Sequence, residues 1–398
     1  AGTAAKSFRH LLVVAQVALS LTLLICAGLL VLSFYRLQHS DPGFRTEARA
    51  FGFVNLPATQ YNTPELVREF YRRLQDQLRL APGLEQGGFS ANLPLAGGGF
   101  FSPYIVRGQP VVPVSERPLA MICNVSVDYF ATVAQAVQLG RGFADTDTAS
   151  AEQVCLINET LAKKLFPHTN PLDQSFLIGP KTDVTVRIIG VVRDVKTAGL
   201  NVPPNDEIYY PFNQRGPIFA AIVGQAKPGL VAAAVIPVLR RALLAVDPQL
   251  ALSAPQTMPD LLRQSLGVQR ITMALLLVFA GLAALLAAVG VYSVMAYAVA
   301  QRTGEIGVRM ALGATPENIL ALVLRSGAWQ VGLGLLLGFG GALAASRLLT
   351  QALFEVKPFD PVVFATVALF FALVATLACL VPSLRATRVD PMIALRAE

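Results

Sequence analysis

Four long apolar runs, separated by amphipathic sequence, organise this chain. They span residues 11–34, 271–300, 328–345 and 362–381. Each is close to the length of about 17 to 25 apolar residues that a helix needs to cross a hydrocarbon core. The pattern predicts a membrane protein with a four-helix transmembrane bundle, in which one helix precedes a large polar segment and three follow it.

The first run has the length of a membrane anchor rather than of a cleaved signal peptide. Its apolar core is about twice as long as a signal-peptide core, and no small-residue cleavage motif closes it before Tyr35. We therefore expect a transmembrane helix that continues to Gln38. A second helical stretch, 258–269, is predicted to lead directly into the second span.

Residues 36–270 have the alternating pattern of a folded domain outside the bilayer. Strands are predicted at 49–56, 119–127, 154–158, 184–192 and 218–223, and helices at 64–80, 159–165 and 230–246. Thr63, Pro64 and Glu65 supply an N-cap, a proline and an acid in the order that favours a helix start. The mixed order of elements predicts an α+β domain with two subdomains.

Composition supports the membrane assignment and argues against nucleic acid as a partner. Of 398 residues, 54% are hydrophobic and only 14% are charged, and the mean hydropathy is +0.54. The formal charge of +7 comes from scattered residues rather than from a basic patch. Cys26 and Cys379 lie in spans. Cys123 and Cys155 are interpreted as small buried hydrophobic residues, with a disulfide as the alternative.

Lys and Arg in the short segments predict the orientation, because long domains are translocated regardless of charge. Three short segments carry eight basic residues: Lys6, Arg9, Arg302, Arg309, Arg325, Arg385, Arg388 and Arg396. The other short loop, 351–361, contains Lys357, with Arg347 at the end of the third run. Both termini are therefore predicted to be cytoplasmic, and residues 36–270 extracytoplasmic.

The sequence contains no residue pattern typical of catalysis. His10, His39 and His168 are far apart, and the HExxH, GxSxG, SxxK and GxxxxGK[ST] motifs are absent. Three carboxylates in loop-like sequence are interpreted as solvated surface groups: Asp145, Asp147 and Asp173. We expect a protein that is not an enzyme by itself, with no catalytic, cofactor or metal site.

The segment 301–326, between the second and third runs, carries a short amphipathic pattern. Glu305 and Arg309 form an i,i+4 pair in the favourable order. A neighbouring stripe holds Ile306, Met310 and Gly313. Gly313 suits a helix C-terminus, and residues 315–317 suit the start of the next helix. The residues leave two alternatives: a helix on the lipid surface, or one that docks in a groove of a partner protein.

The third run contains a small-residue pattern. Gly334 and Gly338 form a GxxxG motif, which Gly340 and Gly341 extend. Such motifs allow close helix contacts, either within the bundle or at a dimer face. The four runs contain almost no ionisable residue, although intramembrane charges usually mark a solute or proton path.

Several motifs resemble those of one family. The stretch AYAVAQRTGEIGVRMALGATPENILALVLRSG and the tail VPSLRATRVDPMIALRAE are similar to the signatures of FtsX-like ABC permeases of the MacB type. The large domain resembles the MacB-like periplasmic core in VSVDYFATV, LGRGFADTD, INETLAKKLFP, and IIGVVRDV followed by IYYPF. These motifs cover almost the whole chain and occur in the order found in the family.

The resemblance implies a division into a tail with helix 1 (1–35), a MacB-like core (36–270) and an FtsX-like domain (271–398) with a coupling loop at 301–326. It implies that a coupling helix in this loop contacts a separate cytoplasmic ABC ATPase, which binds the ATP. The residues implied for that helix are Gly304, Glu305, Ile306, Arg309, Met310 and Gly313.

The resemblance also implies a site of action in the bacterial plasma (inner) membrane. The ATPase would drive movement of the external domain, termed mechanotransmission, for export or extraction of a substrate. Implied partners are a second permease half or a second copy, a periplasmic or outer-membrane protein, and the lipid bilayer. Residues 15–45 resemble the opening of the second half of duplicated acidobacterial permeases, so the chain is expected to be one half of such a protein.

Two other functional classes compete with a permease. A membrane-anchored receptor or sensor would need a cytoplasmic output module, for which the short inward segments leave no room. A membrane-embedded enzyme would need a nucleophile with its base, or a set of metal ligands, and the sequence shows neither pattern.

Overall fold

The computed structural model describes residues 2–179, 184–301, 315–350 and 353–386. The chain divides into two compact units: residues 40–267, called here the sheet unit, and residues 1–39 with 268–398, called the helical unit. Their boundaries lie four and three residues from the divisions predicted at 35/36 and 270/271.

The elements of the described residues run as follows. The strands are β1 Arg49–Asn55, β2 Leu84–Ser90, β3 Phe100–Val106, β4 Leu119–Val125, β5 Val137–Gly140, β6 Val154–Asn158, β7 Ser175–Ile178, β8 Val184–Val192, β9 Glu207–Pro211, β10 Phe219–Ala226 and β11 Ser253–Thr257. The helices are α1 Gly2–Gln38, α2 Pro64–Leu80, α3 Tyr129–Val133, α4 Glu159–Leu165, α5 Val235–Val246, α6 Met258–Ser265, α7 Gly267–Gln301, α8 Pro316–Leu348 and α9 Pro361–Ala386.

Four strands of the sheet unit form an antiparallel layer in the order β11-β1-β10-β2. Alternate residues of β1 point to opposite faces, as the period of two requires. Ala50 and Val54 pack with apolar residues of α2 and α5 on one face. Phe51 belongs to a different cluster on the other face. Both faces of this layer are therefore covered, which explains why β1 is apolar along most of its length.

The other strands close into a ring of six, in the order β4-β3-β7-β8-β6-β9 and back to β4. The parallel pairing of β4 with β9 completes the ring, and β5 adds to β8 outside it. Side chains from all six strands fill the interior: Tyr104, Val106, Ala120, Ile122, Cys155, Ile157, Phe176, Ile178, Val186, Ile188, Ile208 and Tyr210. The ring is thus a packed core without a free edge, as expected for a small closed sheet.

A third cluster joins the ring to the four-stranded layer. It combines Phe51 and Val223 of the layer with Met121 and Tyr209 of the ring, together with Phe130 of α3. The sheet unit is α+β, as the sequence predicts. Its two parts, the layer with its helices and the closed ring, share this cluster.

The predicted elements differ in how well their bounds match. The bounds of β6, α4, β8 and α2 are confirmed residue for residue. The helix predicted at 230–246 is shorter, because a 3₁₀ turn at Ala232–Ala234 precedes α5. Six strands were not predicted: β2, β3, β5, β7, β9 and β11. Adjacent glycines interrupt the apolar pattern of β2, proline interrupts β3 and β11, and all four residues of β5 are exposed.

The sequence predicts one continuous helix at 258–269, and this prediction is wrong. The chain forms two helices, α6 and α7, and Leu266 between them has φ −94° and ψ 0°, outside the helical region. Gly267 follows directly, and glycine has the lowest helix propensity after proline. This one-residue interruption separates the lead from the apolar helix.

Four helices of the helical unit are long and apolar enough to cross a membrane. Within the described residues they cover Leu11–Gln38, Gly267–Gln301, Ala328–Leu348 and Pro361–Val381. Within the described residues, the number of candidate spans agrees with the prediction, and the continuation of the first helix to Gln38 is confirmed. In chain order, one precedes the sheet unit and three follow it.

Candidate functional site

Helix α1 is the most enclosed of the four apolar helices. About 44% of its apolar window is buried, against 22 to 28% for α7, α8 and α9. Val17, Leu21, Ile25 and Leu29 have no exposed surface. The helix has contacts with each of the other three, and the chain enters the sheet unit directly after it. Helix α1 is therefore the central helix of these contacts.

The contact between α1 and α8 is formed around glycines, and we call it the glycine contact. It comprises Gly334, Gly338 and Gly341 of α8 against Val17, Ala18, Leu21 and Thr22 of α1. A methyl group at Gly334 would lie 2.5 Å from Val17 Cγ1, and one at Gly338 would lie 2.9 Å from the backbone oxygen of Ala18. These distances leave no room for a side chain. The structure places the predicted Gly334 and Gly338 against α1 of the same chain.

A hydroxyl group adds a polar bond to the glycine contact. Thr22 Oγ1 donates to Ala18 O of its own helix at 2.9 Å and lies 3.1 Å from Gly338 O of α8. The missing side chain at Gly338 exposes this carbonyl to the neighbouring helix. Gly332 and Gly340, on the same helix, have open space around the Cβ position. Only some of the α8 glycines are thus required by packing.

The contact of α1 with α7 also uses small and polar residues. Ser20 Oγ donates to Ala283 O across the two helices at 2.8 Å. A methyl group at Gly290 would lie 2.6 Å from Gln16 Oε1. Ala284 and Ala287 of α7 are buried beside these positions. Small residues let helix backbones approach closely in an apolar medium, where burial of apolar area does not itself drive helix association.

The C-terminal end of α1 is bound to the segment between α8 and α9. Arg36 Nη1 donates to Glu355 O, and the Arg36 guanidinium lies 4.0 Å from the carboxylate of Asp360. Ser33 Oγ accepts from Phe354 N at 2.8 Å. Asp360 also caps α9, since its Oδ1 accepts from the first backbone N–H groups of that helix. This end of α1 is therefore tied to the start of α9.

The predicted coupling residues Gly304, Glu305, Ile306, Arg309, Met310 and Gly313 lie outside the described residues. The two elements that flank them are described: α7 ends at Gln301, and α8 begins at Pro316. Thr315 has the extended backbone of an N-cap residue, with φ −75° and ψ 151°, and the helix starts with proline, as predicted. The Thr315 side chain makes no capping hydrogen bond.

The sheet unit contains a buried hydrogen-bond network around one carboxylate that the sequence pattern does not predict. Glu207, the first residue of β9, is fully buried and accepts hydrogen bonds from Thr197 Oγ1 and Tyr209 Oη, both at 2.5 Å. Burial raises the pKa of Glu207 to about 7, although the two hydroxyl donors act in the opposite direction. The available signal was a carboxylate at the first position of the otherwise apolar run EIYYP.

The interpretation of Asp147 as a solvated surface group is wrong. Asp147 is 5% exposed, and both of its oxygens accept from the Arg141 guanidinium at 2.8 Å. Burial alone would raise the pKa of Asp147, but the bonds from Arg141 and from the backbone N–H of Ala144 lower it. Asp145 and Asp173 are paired at the surface with Arg79 and Arg187.

A groove with a volume of about 600 Å³ lies between α2 and the segment 145–150 of the sheet unit. Three arginines of α2 line it, and each is paired with a carboxylate: Arg68 with Glu65, Arg72 with Glu69, and Arg79 with Asp128. Tyr71 and Gln75 also line it, and each has a buried oxygen without a partner among the described residues. These three arginines are thus paired within the sheet unit itself.

The structure decides between the two alternatives for the cysteines. All four are free and buried. Cys123 lies in the cluster between ring and layer, whereas Cys155 lies inside the ring. Both therefore act as small apolar residues. Among the residues that the structure describes, no group of three His, Cys, Asp or Glu side chains could hold a metal ion.

Comparison with known families matches two parts of the chain. Residues 56–242 match the MacB-like periplasmic core domain, and residues 277–391 match the FtsX-like permease C-terminal domain. Among solved structures, the periplasmic region of MacB from Actinobacillus actinomycetemcomitans has a TM-score of 0.39 at 14% identity, covering 58% of this chain and 98% of that one. The extracellular domain of YknZ has a TM-score of 0.35 at 19% identity, covering 52% and 98%.

Similar proteins are ABC transporter permeases. The chain is 26% identical to YknZ of Bacillus subtilis, an uncharacterised ABC transporter permease, over 71% of each protein. It is 26% identical to the macrolide export ATP-binding/permease protein MacB of Acinetobacter baylyi, over 74% of this chain and 46% of that protein. It is 28% identical to the pyoverdine export ATP-binding/permease protein PvdT of Pseudomonas putida, over 65% and 40%. The chain thus spans less than half the length of these MacB and PvdT relatives. With both of its domains matched, the chain belongs to the FtsX-like, MacB-type ABC transporter permeases.

Proposed function

We propose that this chain is the permease subunit of an ABC-type complex that transmits force across the bacterial plasma membrane. Its four helices cross in a 1+3 arrangement, with both termini in the cytoplasm and the sheet unit outside. A separate ATPase binds ATP and contacts the coupling helix within 301–326. Movement of the helices then changes the conformation of the external domain, for export or extraction of a substrate.

The observation that supports this proposal most strongly is the position of α1. It packs on all three other apolar helices, and the chain continues from it into the sheet unit. In the glycine contact, α8 approaches α1 so closely that no side chain fits at Gly334 or Gly338. A displacement that begins next to α8, where the coupling segment ends, would therefore be passed to α1.

The distribution of charge favours helices that transmit movement over helices that line a solute pore. The candidate spans carry Arg36, Arg270 and Arg347 at or near their ends, and no charged residue in their central parts. Intramembrane charges usually mark the path of an ion or polar solute. The MacB and PvdT relatives are ATP-binding/permease proteins. This sequence contains no GxxxxGK[ST] loop, so in the proposed complex ATP is bound outside these 398 residues.

Co-purification from membranes tests the ATPase partner. The affinity-tagged full chain should retain an ABC ATPase in mild detergent, and Glu305→Lys should reduce the recovered ATPase at least about tenfold, because a charge of the wrong sign opposes docking at an interface. Glu116→Lys makes the same charge change at an exposed turn of the sheet unit and should have no effect. Recovery of a signalling protein instead of an ATPase would favour a membrane-anchored receptor or sensor over a permease.

Thiol labelling of intact cells tests the orientation. The native cysteines are buried, so an introduced cysteine should dominate the signal. A membrane-impermeant reagent should label Ser115→Cys in the sheet unit in intact cells, and Thr315→Cys only after lysis. Labelling of Thr315→Cys in intact cells would contradict the proposed orientation.

A further inference from the structure

Glu207 occupies the position where the six-stranded ring closes. It is paired in register with Met121 of β4, in the parallel pairing that completes the ring. Its backbone N–H donates to Asn158 Oδ1 at 3.0 Å. The same Asn158 donates from Nδ2 to Asn205 O and to Asp194 Oδ1. The start of β9 is thus connected to the β6–α4 junction and to the segment that precedes β9.

The groups that face the Glu207 carboxyl offer it no positive charge. They are Thr197 and Asp194 from the segment before β9, Tyr209 from β9 itself, Cys123 from β4 and Tyr129 from α3. Of these, Asp194 is an acid held in place by Thr160. The neighbouring Asp206 is paired with Lys164 Nζ at 2.6 Å. In the described part of the chain, the charge that acts on Glu207 is therefore that of another carboxylate.

Protonation of Glu207 changes which atoms can bond. Ionised, it can only accept, and it receives the protons of Thr197 and Tyr209. Protonated, it must donate one hydrogen, and the adjacent acceptors are Thr197 Oγ1 and Tyr209 Oη. The Tyr209 oxygen also receives a bond from Gln135 Nε2 at 3.2 Å. A buried carboxylate next to Asp194 carries a desolvation cost that a neutral carboxyl does not.

We propose that Glu207 is a proton-binding latch of the external domain, which holds the β4–β9 closure of the ring when neutral and loosens it when ionised. The domain then responds to the pH of the extracytoplasmic compartment, with tighter closure under acidic conditions. Because the pKa of Glu207 is about 7, the change falls within the range that such a compartment experiences.

Hydrogen exchange of the full-length protein in detergent tests the latch directly. With intrinsic rates corrected, amide protection in β4 and β9 should fall as pH rises to about 7, by up to about tenfold per pH unit, because local opening releases the proton. Glu207→Gln, a neutral isostere, should abolish this pH dependence. Glu116→Gln, at an exposed turn, should retain it. Equal pH dependence in the wild type and Glu207→Gln would overturn the proposal.

Two further substitutions should move the midpoint in opposite directions. Thr197→Val removes a hydrogen bond that favours the ionised form, so the carboxyl should titrate at higher pH. Asp194→Asn removes a like charge, so it should titrate at lower pH. Infrared difference spectroscopy of the protonated carboxyl band reads these midpoints even if Glu207→Gln fails to fold. A wild-type protein without such a titrating band, or midpoints that stay equal in both variants, would contradict the latch.

Discussion

The two units of this protein differ in how many of their large apolar side chains they leave exposed. In the sheet unit, Tyr71 and Phe176 are almost fully buried. In the helical unit, Leu336 and Leu369 are 71% and 74% exposed, while Ala342 and Ser20 are buried. In the helical unit, the closest helix contacts involve glycine, alanine, serine and threonine, and many large apolar side chains are turned outward, although Leu21, Ile25 and Phe371 are buried. This difference is expected if the sheet unit lies in water and the helical unit in lipid. In lipid, a leucine that faces outward carries no free-energy cost, and close approach of the backbones supplies the contact between helices.

The comparison shows that the same residue types contribute differently in the two units. Stability in the sheet unit comes from filled volume, so truncation of large side chains should destabilise it most. Stability in the helical unit comes from close approach of helices, so enlargement of small side chains should destabilise the helical unit most.

The largest expected effect is a truncation inside the ring. Phe176→Ala should lower the free energy of unfolding of the sheet unit by about 3 to 5 kcal/mol, since a fully buried ring is replaced by a cavity. Phe100→Ala, on the neighbouring strand but 69% exposed, should change it by less than about 0.5 kcal/mol. Denaturant unfolding of the full chain, followed by tyrosine fluorescence, measures both. Similar losses for the two variants would refute the description of the ring as a packed core.

The next effect depends on pH. The pKa of Glu207 is raised by burial from 4.5 to about 7, so the folded state keeps a proton that the unfolded state releases. Its contribution is fully present below about pH 4.5, falls as pH rises and is lost above about pH 7, a change of up to about 3 kcal/mol. Thermal unfolding of wild type and Glu207→Gln at matched pH values isolates this contribution from that of Asp147, whose pKa is lowered. A stability difference that stays constant with pH would contradict the assignment.

A smaller effect is expected at the glycine contact. Gly338→Val should destabilise the helical unit by about 1 to 3 kcal/mol, because the new side chain meets the backbone of α1. Gly340→Val, two residues away on the same helix, enters open space and is the matched control. The single tryptophan, Trp329, lies on α8, so its fluorescence reports on this unit. Equal destabilisation by both variants would remove the distinction between packed and open glycines.

The smallest effect concerns one hydroxyl group. Thr22→Val keeps the shape of the side chain but removes the hydrogen bonds to Ala18 O and Gly338 O. Interhelical bonds of this kind contribute about 0.6 kcal/mol on average in membranes. Trp329 fluorescence during unfolding in detergent should therefore detect a small loss. A loss as large as that of Gly338→Val would mean that the hydroxyl, rather than close approach, holds α1 to α8.

The sequence predicted the elements whose signals are local. Apolar length was sufficient for the four candidate spans, and the capping residues were sufficient for α2, where Thr63 Oγ1 accepts from Leu66 N. The ring was not predictable, because its closure depends on the pairing of β4 with β9, which are separated by 81 residues between Val125 and Glu207. The burial of Glu207 and Asp147 was missed for the same reason: residues distant in sequence create their surroundings.

The α8 glycines show the same limit within one helix. The GxxxG motif identified Gly334 and Gly338 as contact residues, but the pattern left open whether they face a neighbouring helix or a second copy. The structure places both against α1. It also separates Gly341, which would meet Thr22, from Gly340, which has open space around it. Adjacent positions on a helix point in directions about 100° apart, so composition alone does not distinguish them.

The most direct test of the proposed mechanism is hydrogen exchange of the sheet unit in the assembled complex, with and without ATP trapped on the ATPase by vanadate. The account predicts that trapping changes amide protection within residues 40–267, and that Gly338→Val, but not Gly340→Val, removes this change while the ATPase remains bound. Unchanged protection of residues 40–267 in a fully trapped wild-type complex would contradict force transmission to the external domain.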